Sequence, residues 1–462
     1  MARRTPTRRE IRCETPSERI AKRLVRALLS VECQPPLHPN PFGVPYRPRI
    51  VDSELVTRLA ATGAVVIEGP KGCGKTATAR QVARSEVLLD VDDNARRAIA
   101  IDPRLVLDGP VPRLFDEWQV EPALWNHLRR AVDDRQQPGQ FILTGSAAPT
   151  DDITRHTGAA RITRLRMRPM SLFETGHATG EISLSALLKG EAARSPESTL
   201  SIIELATLVV IGGWPGNLTR TNAQATQATR DYLEEIRRVD LSRLDRTTRD
   251  PGKVGRLLRA LGRRVATEAS LATLTVDTAG VAGTDGELAR DTVRDYLTAL
   301  ERIMIIEDQP AWAPHLRSRS RIRSAAKRYF VDPSLAAAAL RATPERLLAD
   351  LNLLGLLFES LVVRDLRVYA QASDATVLHY RDNTGLEVDA IVEVADGRWA
   401  AFEVKLGQGQ VDDAAASLRT FASRVDTAKC GAPAALGVIT AAGYGYLRPD
   451  GVHVIPIAAL GP

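Results

Sequence analysis

With 462 residues the chain is longer than one hydrophobic core usually serves, so about two to four domains are expected. No apolar run approaches the roughly 18 residues of a membrane span, and the arginine-rich start lacks an apolar signal core, which argues against a membrane or secreted protein and predicts a cytoplasmic one. Lysine plus arginine number 62 against 56 aspartate plus glutamate, a balance of only +6, so the placement of charge matters more than its total.

The first residues are basic, with Arg3, Arg4, Arg8, Arg9, Arg12, Arg19, Lys22, Arg23 and Arg26 against Glu10, Glu14 and Glu18. Thr15-Pro16-Ser17-Glu18 reads as a helix start, followed by Ile20, Leu24, Val25 and Leu28 at helical spacing. Pro35, Pro36, Pro39, Pro41, Pro45 and Pro48 then sustain neither helix nor central strand and predict an extended linker. The cysteines Cys13, Cys33, Cys73 and Cys430 are scattered without C-x-x-C spacing, which argues against a zinc site and a disulfide framework.

Gly69-Pro70-Lys71-Gly72-Cys73-Gly74-Lys75-Thr76 is a complete G-x-x-x-x-G-K-[ST] phosphate loop. It lies between the β-branched run Ala64-Val65-Val66-Ile67 and a helix-favouring stretch from Ala77 to Ala83. The glycines let backbone amides turn toward phosphate oxygens; Lys75 adds charge between the β- and γ-phosphates, and the Thr76 hydroxyl holds Mg²⁺. Helical and strand patterns alternate to about residue 170, predicting a parallel sheet. Leu114-Phe115-Asp116-Glu117 ends one strand with an acidic pair, suited to place Asp116 near Mg²⁺ and Glu117 where it polarises an attacking water. Phe141-Ile142-Leu143-Thr144-Gly145-Ser146 ends another in hydroxyls suited to sensing the γ-phosphate.

Residues 253–310 carry three amphipathic helical patterns, and strand-like segments follow at Met304-Ile305-Ile306 and Tyr329-Phe330-Val331, the composition of a winged helix. Arg290, Arg294 and Arg302 fall on the polar side of its third helix; DNA contact and simple domain joining both remain open there. The run Arg317, Arg319, Arg321, Arg323, Lys327 and Arg328 has no acidic residue among them and is a second candidate surface for nucleic-acid phosphates, with a solvated face as the alternative. Beyond it, Glu359 interrupts an otherwise apolar helical stretch, and two strands carry Glu387, Asp389, Glu403 and Lys405 two residues apart in pairs. If these strands are neighbours, Asp389 and Glu403 could ligate Mg²⁺, with Glu359 or Glu387 completing the shell and Lys405 orienting or helping to deprotonate a metal-bound water. Exposed cross-strand ion pairs are the alternative.

In this order, several strings resemble bacterial and archaeal AAA-type ATPases that carry a C-terminal domain of unknown function with a restriction-endonuclease-like, PD-(D/E)xK, core. They are Tyr46-Arg47-Pro48-Arg49, the phosphate loop, Pro112 to Gln119, Leu143-Thr144-Gly145-Ser146-Ala147, and Arg161 ahead of Arg168-Pro169-Met170-Ser171-Leu172-Phe173-Glu174. Gly212-Gly213-Trp214-Pro215, Tyr329-Phe330-Val331-Asp332, Phe358-Glu359, Glu387-Val388-Asp389 and Glu403-Val404-Lys405 continue the series. The fold class implied is α/β: an AAA-type P-loop parallel-sheet domain, a winged-helix unit and a C-terminal α/β restriction-endonuclease-like domain. The corresponding boundaries are residues 1–45 for the basic segment and linker, 46–230, 231–345 and 346–462. The resemblance implies ATP and Mg²⁺ as cofactors, Ser146 or Thr144 as sensor, and Arg161 as an arginine finger reaching a neighbouring copy, with Arg164 and Arg168 as competitors. In one departure, Glu387-Val388 precedes Asp389 where the signature has proline. Two readings follow: an ATP-hydrolysing protein that binds and cuts nucleic acid, or a nucleotide-dependent switch that binds a protein partner through a non-cutting C-terminal scaffold.

Overall fold

The computed structural model describes residues 45–146, 158–241, 249–279, 286–313 and 325–462. The expected helix after Thr15, the basic residues of the first segment, and Arg317, Arg319, Arg321 and Arg323 lie outside the described residues.

Helix α1 (Val51–Ala61) leads into strand β1 (Ala64–Glu68), the phosphate loop and helix α2 (Lys75–Arg80). Strands β2 (Ser85–Leu88), β3 (Arg113–Asp116), β4 (Phe141–Gly145) and β5 (Ile162–Arg166) complete a sheet of order β2-β3-β4-β1-β5, parallel throughout. Helix α3 (Leu124–Arg135) joins β3 to β4. The continuous apolar run of β1 is buried on both faces: Ala64 and Val66 enter one core with Phe115, Leu128 and Leu143, while Val65 and Ile67 enter the other with Leu55, Leu59 and Ile142. A strand of period two between two helical layers explains why this segment reads as apolar without alternation. Burial of each valine and isoleucine of the strand contributes about 1.5–3 kcal/mol.

A short strand β6 (Ile182–Ser183) precedes helices α4 (Ile202–Ile211), α5 (Asn222–Glu235), α6 (Pro251–Arg263), α7 (Leu271–Asp277) and α8 (Arg290–Arg302). The last three are the helices anticipated from residues 253–310. Isolated antiparallel bridges join Ile306 to Phe330, Gln309 to Lys327 and Thr267 to Arg328. Helix α9 (Pro333–Ala339) begins after Asp332, whose carboxylate accepts from the Ser334 amide.

The last third is built on α10 (Leu351–Gln371), buried along most of its length, and a six-stranded sheet of order β11-β12-β10-β9-β8-β7. Its strands are β7 (Ala375–Arg381), β8 (Glu387–Val394), β9 (Trp399–Lys405), β10 (Ala435–Thr440), β11 (Tyr446–Leu447) and β12 (Val452–Pro456). β7, β8 and β9 form an antiparallel meander, and β9, β10 and β12 run parallel. Helix α11 (Val411–Arg424) covers the face lined by Leu378, Ile391, Trp399 and Val438. The terminal strand β13 (Leu460–Gly461) pairs with β6, and one continuous apolar core runs from Leu172 to Leu460 through α4, α6, α8, α9 and α10.

Candidate functional site

The phosphate loop leaves the C-terminal end of β1 and reaches α2 through two residues of positive φ, Gly72 at 73° and Gly74 at 105°. Only glycine adopts these angles without strain, so the loop's shape is written into its composition. Lys75 is buried and its Nζ donates to the Gly69 and Pro70 carbonyls, both at 3.0 Å. Thr76 Oγ1 donates to Asp116 Oδ1 at 2.8 Å, and Thr144 Oγ1 donates to the same oxygen. The loop threonine, the end of β3 and the end of β4 thus meet at one carboxylate oxygen. Glu117 sits at a φ of 52°, accepts from Gln119 Nε2, and lies 3.5 Å from Ser146 Oγ. Thr76 and Asp116 together have the hard oxygen donors that suit Mg²⁺ shared with nucleotide phosphates.

The loop is clamped from outside. Arg49 is buried; it donates to the Cys73 carbonyl at 2.8 Å, to Arg168 O at 2.8 Å and to Glu174 Oε1 at 2.9 Å. Cys73 is itself buried as core filler beneath the loop. Lys71 turns away from the loop to pair with Asp240 at 2.5 Å, while Tyr232 on α5 donates to the Lys71 carbonyl at 3.1 Å.

The three candidate finger arginines part company. Arg161 precedes β5 at the end of the sheet remote from the loop, where its carbonyl accepts from Ala64 N and its Nε meets Asp133 at 2.7 Å. From there it faces away from its own loop. Arg164 pairs with Glu68. Arg168 is committed internally: it meets both carboxylate oxygens of Glu307 at 2.6 and 2.9 Å and Gln371 at 3.1 Å. Burial pushes the Glu307 carboxyl up, but Arg168, Arg367 and Arg166 outweigh it and hold the group well below the ordinary range.

Other strings behind the resemblance are internal staples. A side chain at Gly213 would collide with the Met170 carbonyl, and the Gly213 amide donates to Asp332 Oδ2 at 3.0 Å. Arg364 on α10 pairs with that oxygen at 2.9 Å and with Asp365 at 2.6 Å, while Asp365 accepts from the Leu172 amide at 3.0 Å. Trp214 Nε1 donates to Ser334 Oγ at 3.0 Å.

In the last third, Glu359, Asp389, Glu403 and Lys405 come together as strand spacing anticipated. Lys405 Nζ lies 2.7 Å from Glu403 and 3.6 Å from Asp389, and Asp389 Oδ2 also accepts from the Val404 amide at 2.9 Å. A second lysine enters the cluster. Lys327 Nζ lies 2.8 Å from Glu359 and 3.2 Å from Asp389, and Tyr329 donates to Glu359 at 2.7 Å. Lys327 is therefore no phosphate-facing surface residue: buried carboxylates need a countercharge, and it supplies one. Arg328 likewise pairs with Asp308 at 2.6 Å. Burial works against the Lys327 ammonium, yet Glu359 and then Asp389 outweigh it and hold its pKa above the ordinary lysine value. Burial, then Asp389, push the Glu359 carboxyl up to about 7, and the same two causes raise Glu403 to about 8. Asp389 is pushed up by burial but held below its usual value by Lys327 and Lys405. Glu387 stays out of the cluster, half-exposed and paired at 2.9 Å with Arg381, its cross-strand partner on β7. Among the described residues no three or more His, Cys, Asp or Glu side chains are arranged to hold a metal ion. No helix among them is long and apolar enough to cross a membrane.

Residues 61–176 match a family described as AAA domain, residues 202–346 a Domain of unknown function (DUF8612) and residues 354–460 a Domain of unknown function (DUF4143). Uncharacterized protein Rv2008c of Mycobacterium tuberculosis is 24% identical over 347 residues, 74% of this chain and 70% of that protein. Uncharacterized protein Mb2031c of Mycobacterium bovis gives the same figures. Among solved structures, the Walker-type ATPase PABY2304 of Pyrococcus abyssi aligns over 66% of this chain and 99% of its own, at 15% identity and a TM-score of 0.39. The replication initiator DnaA bound to AMPPCP and single-stranded DNA aligns over 55% and 86%, at 12% identity and a TM-score of 0.27. A complete phosphate loop at the end of β1, an acidic residue bonded to its threonine and an AAA domain match over the same residues agree, and the chain carries an AAA-type P-loop ATPase domain.

Proposed function

We propose that the protein binds and hydrolyses ATP with Mg²⁺ and works as a nucleotide-dependent switch, with residues 46–230 as the motor, 231–345 as a winged-helix connector and 346–462 as a non-cutting scaffold. The observation that carries the ATPase part is the meeting of Thr76, Thr144 and Asp116 beside the buried Lys75. In this reading Lys75 neutralises phosphate charge, Thr76 and Asp116 hold Mg²⁺, Glu117 orients the attacking water, and Thr144 or Ser146 senses the γ-phosphate. Arg161, remote from its own loop, would serve a neighbouring copy. Lys75→Ala is expected to abolish ATP hydrolysis while far-ultraviolet circular dichroism stays that of the wild type. Normal turnover in that variant would remove the assignment.

The non-cutting reading is carried by Lys327. A metal between Glu359 and Asp389 would compete with an ammonium already bonded to both, so the residues present do not fit a metal there. A second reading, a metal-dependent nuclease using Asp389, Glu403 and Lys405, is favoured by their convergence alone. Melting with and without Mn²⁺ separates the two. A scaffold shows no metal-dependent shift at this cluster; a shift that Asp389→Asn removes would establish the metal site instead.

A further inference from the structure

The polar side of α8 leaves DNA contact and simple domain joining both open from sequence, and the helix is balanced: Arg290, Arg294 and Arg302 stand with Asp291, Asp295 and Glu301. Arg294 pairs with Asp291, and Asp295 is taken by Arg249. Helix α6 is different. Its sequence holds Lys253, Arg256, Arg259 and Arg263 and no acidic residue. Positions 253, 256, 259 and 263 share one helical face, opposite Val254, Leu257, Leu258 and Leu261, which are buried. Gly255 leaves room for Arg237 to lie across the helix: a Cβ there would sit 3.1 Å from Arg237 Nη1 and 3.7 Å from Arg259 Nη1. Arg341, just beyond α9, adds its charge from the side. Arg259 is lowered from its ordinary value by burial first, and then by Arg263, Arg237, Arg256 and Arg341. Neither Arg259 nor Arg341 makes a side-chain hydrogen bond or ion pair among the described residues, and both are exposed.

We propose that the arginine face of α6, with Arg237 and Arg341 at its edges, binds the phosphate backbone of double-stranded nucleic acid. Arg237 pairs with Glu234, but beside it Arg259 and Arg341 make no ion pair among the described residues, and Arg259 is repelled by Arg263, Arg237, Arg256 and Arg341, a strain that a bound anion relieves. The phosphates of a nucleic-acid backbone are anions of that kind. The adjoining cleft, about 710 Å³, is lined by Arg263, Arg264 and Arg346 together with Asp277, which pairs with Arg264, and Asp350. It holds no aromatic ring for stacking an unpaired base, which favours a duplex over a single strand. No residue of the phosphate loop takes part, so this surface stands or falls independently of ATP hydrolysis.

The test uses the full chain and a fluorescein-labelled duplex of mixed sequence, with binding followed by anisotropy as NaCl is raised. Wild type is expected to bind with a steep log–log salt dependence. Arg259→Ala with Arg341→Ala should lower that slope by about 1.8, two contacts at about 0.9 each. Arg259→Glu with Arg341→Glu should weaken binding further, and Arg294→Ala should leave the slope as it is. Unchanged affinity and slope in the Glu double variant would overturn the proposal. So would tighter binding of poly-glutamate than of the duplex, which would assign the face to an acidic protein. Nucleotide binding by each variant checks that the fold is intact.

Discussion

Replacing Lys327 by methionine tests whether its ammonium balances the buried carboxylates. The side chains of Lys327, Glu359 and Asp389 are 6%, 12% and 12% exposed, so water can do little to replace the lost charge. Removing one partner of such a pair costs about 3–5 kcal/mol, because the other charge stays buried and alone. The cost depends on pH. Glu359 has its pKa raised to about 7, so at pH 6 it is largely protonated and Lys327 serves mainly Asp389, which keeps Lys405 at 3.6 Å. At pH 8 Glu359 is ionised and loses its ammonium as well. The loss is therefore expected near the lower figure at pH 6 and near the upper one at pH 8. In the wild type the sign runs the other way from a stabilised carboxylate. Glu359 and Glu403, both raised above the ordinary value, contribute stability fully present below about pH 4.5 and lost as pH rises through about 7 and 8. Urea denaturation followed by hydrogen exchange of β8 and β9 reads this part of the fold, where a whole-chain transition would mix domains. Glu359→Gln should flatten the pH dependence, and adding it to Lys327→Met should cost less than the two single losses together. Equal loss at pH 6 and 8, or strict additivity, would refute the argument.

Glu117→Gln keeps the shape of the side chain but not its basicity, so hydrolysis should fall by about 10²–10⁴-fold while nucleotide binding, measured by fluorescent-analogue titration, is retained. Glu307→Gln leaves Arg166, Arg168 and Arg367 without their shared countercharge. Because Glu307 is a fifth exposed, a loss of about 2 kcal/mol is expected, seen as faster limited proteolysis between the ATPase and the last third.

The phosphate loop was legible because its chemistry is contiguous: one octapeptide fixes the turn, the charge and the hydroxyl. The parallel sheet followed from apolar runs that lacked alternation, the mark of burial on both faces. The acidic cluster was partly legible, since period two placed Asp389 and Glu403 with Lys405. Lys327 was missed for a physical reason. Its partners lie 32 and 62 residues away, and its sequence neighbourhood of arginines resembles a solvated face. A signal was present in Tyr329, two residues on, which shares its strand face and meets the same Glu359. Glu387 fell to the simpler alternative, a cross-strand ion pair at a sheet edge. Arg168 looked available for a neighbour only because Glu307, 139 residues later, cannot be paired with it from spacing.

Arg49 bears on any dissection of this chain. It stands ahead of both α1 and the AAA domain match that begins at residue 61, yet it ties the Cys73 carbonyl to Glu174 at the far end of that match. A fragment cut at the match boundary would lose this tie and leave the buried Glu174 without its arginine, so a silent fragment would say nothing about the loop. The smallest working unit on the N-terminal side starts before Tyr46, which hydrogen-bonds Thr78 in α2 and Asp52 in α1.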